Sequence, residues 1–125
     1  MIQTLFQVAL GGAIGASARY MTNVAAMRLI GPGFPWATVI VNVFGSFLMG
    51  VIVVALAHRD ANRLAPFLMT GILGGFTTFS AFSLDALTLW ERGQAGVAAL
   101  YVTGSVVLSL AGIVAGMSAA RWVFA

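Results

Sequence analysis

The sequence predicts an all-α membrane protein of four transmembrane helices, the third broken near its middle. Three observations predict it. Of 125 residues, 61% are hydrophobic and only 7% charged, six of them Arg, three acidic and none Lys. A soluble domain averages about 25% charged, so nine charges cannot cover a water-facing globule, and such apolar content also excludes disorder. A bilayer span takes about 20 apolar residues, so four spans use roughly 80 positions and leave about 45 for ends and turns. Finally, the third apolar segment carries two adjacent Gly followed by two β-branched Thr, a weak point in any helix.

Punctuation sets the elements in order, as one domain with spans of about 3–27, 36–57, 64–90 and 95–122. Span one ends before Gly31-Pro32-Gly33-Phe34-Pro35, the strongest turn cluster in the chain. Ala16-Ser17-Ala18 has the small-x-small form of a leader cleavage site, but no Lys or Arg precedes the apolar run. The segment is therefore expected to remain as a span. Span two starts at Trp36, just after a proline, and ends at the polar link His58-Arg59-Asp60-Ala61-Asn62-Arg63. Span three, with its break near 74–78, is closed by Glu91-Arg92-Gly93-Gln94. Trp36, Trp90 and Trp122 all fall at span ends, where an amphipathic ring prefers the membrane interface.

Charge excludes some functions and leaves orientation open. The Arg residues are scattered singly, with no basic stripe for a phosphate backbone, so no nucleic-acid partner is expected. The absence of Cys removes disulfides, thiolate metal sites and thiol catalysis. No carboxylate pair or Ser–His arrangement supports an enzyme, and His58 is expected to be a solvated interfacial residue. Arg59, Arg63 and Arg121 would lie on one side of the membrane, and Arg28 and Arg92, with or without Arg19, on the other. The positive-inside rule then barely orients the chain. Either the small sample is noise, or the chain inserts both ways round and pairs antiparallel.

Polar groups inside lipid are the functional candidates. Arg19 either snorkels to the interface or lines an aqueous vestibule that attracts anions. Asn42 shares a helical face with Thr38 and Ser46; its amide either bridges helices or donates to a passing anion. A helix broken between Gly74 and Thr78 would free carbonyls able to hold a cation. Phe79 and Phe82 share one face beyond the break; their ring edges carry weak positive potential, which suits an anion that must enter and leave. Asp85, one turn past Ala81, caps this segment or pairs with an Arg. Tyr101, Ser105 and Ser109 form a hydroxyl stripe at i, i+4 and i+8 on span four. Most interior glycines, Gly112 and Gly116 among them, read as helix contacts.

Together, Gly11-Gly12-x-x-Gly15-Ala16-x-x-Arg19-Tyr20, Asn42-x-x-Gly45 and Gly71-x-x-Gly74-Gly75-Phe76-Thr77-Thr78-Phe79-Ser80-x-Phe82-Ser83 strongly resemble the Fluc (CrcB-type) fluoride channels. The match covers essentially the whole chain, and the span-three motif is the specific part. Asp85 falls where the family often has Glu. The resemblance implies a fluoride-selective channel of the bacterial inner membrane that exports fluoride passively and protects the cell from its toxicity. It implies an antiparallel, dual-topology homodimer with two pores. Phe79 and Phe82 match the family's aromatic box, and Asn42 its pore-lining amide, with Thr38 on the same face. Tyr101, Ser105 and Ser109 match its polar track, and Arg19 a span-one Arg near the pore mouth. It further implies a structural Na⁺ at the dimer centre, held by main-chain carbonyls of Gly74 and Thr77. A small dual-topology multidrug transporter shares the size and span count, but it needs a carboxylate in span one. The only ionisable side chain expected within that span is Arg19. A non-transporting membrane assembly subunit is the third reading.

Overall fold

The structure, a computed structural model, describes residues Met1–Ala125 and is helical throughout, with no strand. Helix α1 is Ile2–Leu29 and α2 is Trp36–His58. A 3₁₀ turn at Asn62–Leu64 leads into α3, formed by a wide π-helical stretch, Pro66–Leu73, and one α turn, Gly74–Phe76. Helix α4 is Ser80–Glu91 and α5 is Ala95–Val123. Three stretches are long and apolar enough to cross a membrane: α2, the α3–α4 unit taken as Asn62–Glu91, and α5. Helix α1, at 28 residues, is about 42 Å long, ample for a crossing. It falls short on apolarity, because Gln3, Gln7, Arg19, Asn23 and Arg28 are spread along it.

Helix ends follow local chemistry. Gly31 and Gly33 take φ of +96° and +116° in the α1–α2 turn, and Gly93 takes +79° after α4, conformations glycine reaches without a Cβ penalty. At the end of α2 the left-handed position falls to Asp60 (φ 52°), and Ala61 N–H donates back to the Leu56 carbonyl. His58 is exposed, as expected, and its ring also stacks on Phe124 at 4.8 Å, with the Arg59 guanidinium 5.6 Å from the Phe124 ring. The far ends of α2 and α5 are thereby joined.

Glycines set the two main helix contacts. On α1, a Cβ at Gly11 would come within 2.9 Å of Gly71 Cα, and one at Gly15 would overlap the Ile72 carbonyl oxygen. From α3, a Cβ at Gly75 would stand 2.8 Å from the Gly12 carbonyl oxygen. Helix α2 lies on α5 in the same way: a Cβ at Gly50 would overlap the Ile113 carbonyl oxygen, and one at Gly116 the Phe47 carbonyl oxygen. Lipid tails are as apolar as leucine, so close backbone approach replaces hydrophobic burial as the source of cohesion. Only 16 of 125 residues are buried. Helix α4 packs on α5, and the break between α3 and α4 meets α2 at Asn42 and Gly45.

Candidate functional site

The break occupies residues 77–79. The sequence places it near 74–78, across two glycines and two threonines; Gly74–Phe76 stays helical and the threonines are the part that gives way. Thr77 is extended, with φ −83° and ψ 161°. Its amide and hydroxyl both donate to the Leu73 carbonyl, at 3.0 and 2.9 Å. Room for this turn comes from Gly45 on α2, where a Cβ would overlap Thr77 Cγ2.

Asn42 clasps the broken backbone. Its Nδ2 donates to the Thr78 carbonyl at 3.0 Å, and Thr78 N–H donates to its Oδ1 at 2.8 Å. One amide thus satisfies a donor and an acceptor that the break would otherwise orphan. An asparagine amide has two N–H donors, so one remains for another acceptor. Thr78 Oγ1 in turn accepts from Ala81 N–H at 3.1 Å and caps the start of α4.

These substitutions free two carbonyls. In an uninterrupted helix, the Gly74 carbonyl would accept from Thr78 N–H and the Thr77 carbonyl from Ala81 N–H. Asn42 Oδ1 and Thr78 Oγ1 have taken those donors. Neutral oxygens without donors are the ligand type of a hard cation, so Gly74 and Thr77 fit the proposed role of holding Na⁺. The Gly75 carbonyl between them accepts from Arg19 Nε at 3.1 Å. Arg19 therefore turns toward the break rather than simply reaching for the interface. It lines a small void of about 20 Å³ with Asn23, Thr38 and Thr78.

Beside the break lies a groove of about 410 Å³ between α2 and α5. It brings together Asn42, Phe79, Phe82, Ser105 and Ser109, and adds Ser46, Thr77 and Thr78. The Phe79 and Phe82 rings meet edge to face, 5.5 Å apart at 82°, with Phe79 69% exposed. The groove also lies against the N-terminal end of α4, the positive end of that helix's dipole. Its lining contains no charged side chain. Ser105 Oγ, in the groove wall, is buried and has no hydrogen-bond partner.

The hydroxyl stripe of α5 is divided. Tyr101 is fully buried, and its hydroxyl donates to Asp85 Oδ2 at 3.0 Å. Thr38 Oγ1 donates to the same oxygen at 2.7 Å. Thr38 and Tyr101 therefore stand outside the groove, as partners of Asp85. Asp85 takes two hydroxyls where the sequence offered it a cap or an Arg. It faces a second cavity of about 310 Å³ at the α1–α2 turn, with Asn23, Phe34 and Arg92. Asn23 and Phe34 were not singled out in the sequence. Asn23 lies four residues after Arg19, a helical spacing that does carry the signal; Phe34 sits among turn residues that read only as punctuation.

Comparisons with known proteins agree in kind. The family model described as "CrcB-like protein, Camphor Resistance (CrcB)" matches residues 6–117. A protein of Cereibacter sphaeroides (strain ATCC 17029 / ATH 2.4.9) is 74% identical over 121 residues, 97% of each chain. One from Paracoccus denitrificans is 58% identical over 125 residues, 100% of each. One from Agrobacterium fabrum is 51% identical over 119 residues, 94% of this chain and 95% of its own. Each of the three is named "Fluoride-specific ion channel FluC".

Proposed function

The chain belongs to the CrcB-like family, and from that premise we propose how it works as a fluoride-selective channel. It is a multi-pass protein of the bacterial cell inner membrane, and its relatives are named as channels, not enzymes. The observation that carries the mechanism is the unpartnered, buried hydroxyl of Ser105 in the groove wall. A buried polar atom left unpaired costs about 1–3 kcal/mol, and a passing acceptor would relieve it. Fluoride is the strongest hydrogen-bond acceptor among the halides and loses its water reluctantly. Ser105, Ser109 and the second N–H of Asn42 are neutral donors that replace that water one at a time. The edges of Phe79 and Phe82 and the start of α4 add weak positive potential. Because the groove holds no formal cation, the anion is attracted without being trapped. Arg19, held on the Gly75 carbonyl in a small void that shares Thr78 with the groove, adds positive potential beside the break without entering the groove. No part of the site couples to an energy source, so flow is passive and follows the gradient outward. The small multidrug transporter gains no support from the relatives.

The same reading takes the working unit as an antiparallel homodimer. One chain exposes 7849 Å², where a compact monomer of 13.0 kDa exposes about 6,300 Å². The groove is open along a side that a second copy would close. Helix α1 would complete each protomer's four crossings, its less apolar faces shielded within the pair. Two free carbonyls from each copy would meet near the axis. The Gly74 and Thr77 carbonyls would hold a Na⁺ there, and the ion would supply fixed positive charge.

Fluoride and chloride efflux from the same loaded liposomes tests the channel. Fluoride is expected to leave quickly and chloride to be retained; equal fluxes would sink the selectivity claim. Topology has its own test, since the chain lacks Cys. Asn62→Cys should react with membrane-impermeant reagents from both sides, and labelling from one side only would overturn the antiparallel pair.

A further inference from the structure

Tyr101 is held by more than Asp85. Its ring packs against Phe82 at 5.3 Å on one side and against Phe34 at 5.5 Å on another, the latter edge-on at 84°. Phe34 is itself backed by Trp36 at 4.7 Å, and Phe82 continues to Phe79. Five aromatic rings therefore run without interruption from the α1–α2 turn to the groove. The turn is built to aim Phe34 inward: Gly31 and Gly33 adopt left-handed φ values, and Pro32 and Pro35 fix φ beside them. Phe34 also lines the cavity that Asp85 faces, so its ring stands between that cavity and Tyr101, which is only 1% exposed.

We propose that Phe34 is a positioning residue of the conduction path: from a turn outside the groove, it holds the Tyr101 ring against Phe82 and the Tyr101 hydroxyl on Asp85. Without it, Tyr101 gains rotational room and a water-filled neighbour. Its hydroxyl can then leave Asp85 and Phe82 loses its backing, so the aromatic wall of the groove loosens. This inference rests on the fluoride-channel reading for its functional consequence, but not for the contact itself.

The test uses the full chain in liposomes. Phe34→Ala should slow fluoride efflux about tenfold, the rate equivalent of one aromatic contact. Phe34→Tyr, which keeps the ring, should restore most of the rate. On a Tyr101→Leu background, which removes both the ring and the hydroxyl, Phe34→Ala should add little, because residues that act through one another are not additive. An unchanged rate in Phe34→Ala, or the full loss repeated on the Tyr101→Leu background, would overturn the proposal. Nitration by tetranitromethane gives a readout independent of conduction. The chain has two Tyr, so Tyr20→Phe leaves Tyr101 alone. Its nitration should be slow in that background and faster with Phe34→Ala. Phe34→Leu, which keeps bulk without the ring, is read the same way where the alanine variant does not insert. An unchanged nitration rate overturns the covering role. Nitration that follows Phe34 in a protein passing no fluoride would discard the channel reading and leave the contact standing.

Discussion

The seam and the groove between α2 and α5 are made by the same two helices, yet one is shut and the other open. At Gly50, Gly112 and Gly116 the two backbones approach so closely that no Cβ fits without displacing a neighbour. One to three turns earlier on α5, Ser109 and Ser105 face a groove of about 410 Å³. The difference lies in what the third partner supplies. At the seam, glycine removes side chains and the helices complete each other. At the groove, Thr77–Phe79 has left the helix and stands across the gap, and Asn42 keeps it there. A small donor-lined space persists because the broken strand of chain cannot collapse into it.

Asn42 is thus where the comparison is most easily broken. Asn42→Ala removes both hydrogen bonds to Thr78 and leaves its N–H and C=O without partners. Each orphaned group costs about 1–3 kcal/mol, so thermal unfolding in detergent should show a loss of several kcal/mol, and fluoride efflux should cease. A variant with wild-type stability would mean that the break holds its shape without the clasp.

The seam predicts the next largest effect. A Cβ at Gly116 overlaps the Phe47 carbonyl oxygen, whereas at Gly104 on the same helix it meets nothing within 4 Å. Gly116→Ala should destabilise by about 1–3 kcal/mol through overpacking. Gly104→Ala should be neutral or gain up to about 1 kcal/mol from helix propensity. Equal melting shifts for the two would remove the distinction between a closed seam and an open face.

Phe82 lines the groove and packs against the buried cluster of Leu89, Ala98 and Tyr101. Phe82→Ile keeps an apolar side chain but loses the ring edge. Its stability should change by less than about 1.5 kcal/mol, while fluoride efflux should slow by about tenfold or more. Efflux unchanged beside wild type would remove the aromatic edges from the mechanism.

These expectations also show how much was legible from the sequence. The helical class and the third-segment interruption follow from apolar runs and breaker residues, and helical spacing singles out Asn42, Phe79, Phe82, Ser105 and Ser109 one helix at a time; that they gather in one groove is implied only by the family resemblance. What spacing could not separate was the fate of like groups on one face. Tyr101, Ser105 and Ser109 read as one stripe, but Asp85 reaches Tyr101 from another helix and leaves Ser105 alone. Thr38 and Asn42 are one turn apart, and one goes to Asp85 while the other goes to Thr78. The break settles at the threonine end of the expected 74–78 for the same reason. Gly74 and Gly75 are poor helix formers, but propensity is weaker than a tertiary clasp, and Asn42 with the Thr78 hydroxyl unwinds the threonines instead.

Ser105 gives the smallest effect and the sharpest contrast with the seam. Its hydroxyl is buried without a partner, so Ser105→Ala removes an unsatisfied group rather than an interaction. Stability should hold or rise by up to about 1 kcal/mol, opposite in sign to Gly116→Ala on the same helix. Efflux should nonetheless fall several-fold, since the anion loses a donor worth about 1 kcal/mol. A groove residue whose loss helps the fold and harms conduction has a role that packing does not explain. A variant of Ser105→Ala that loses stability and conduction together would instead place Ser105 with the glycines, as one more contact between α2 and α5.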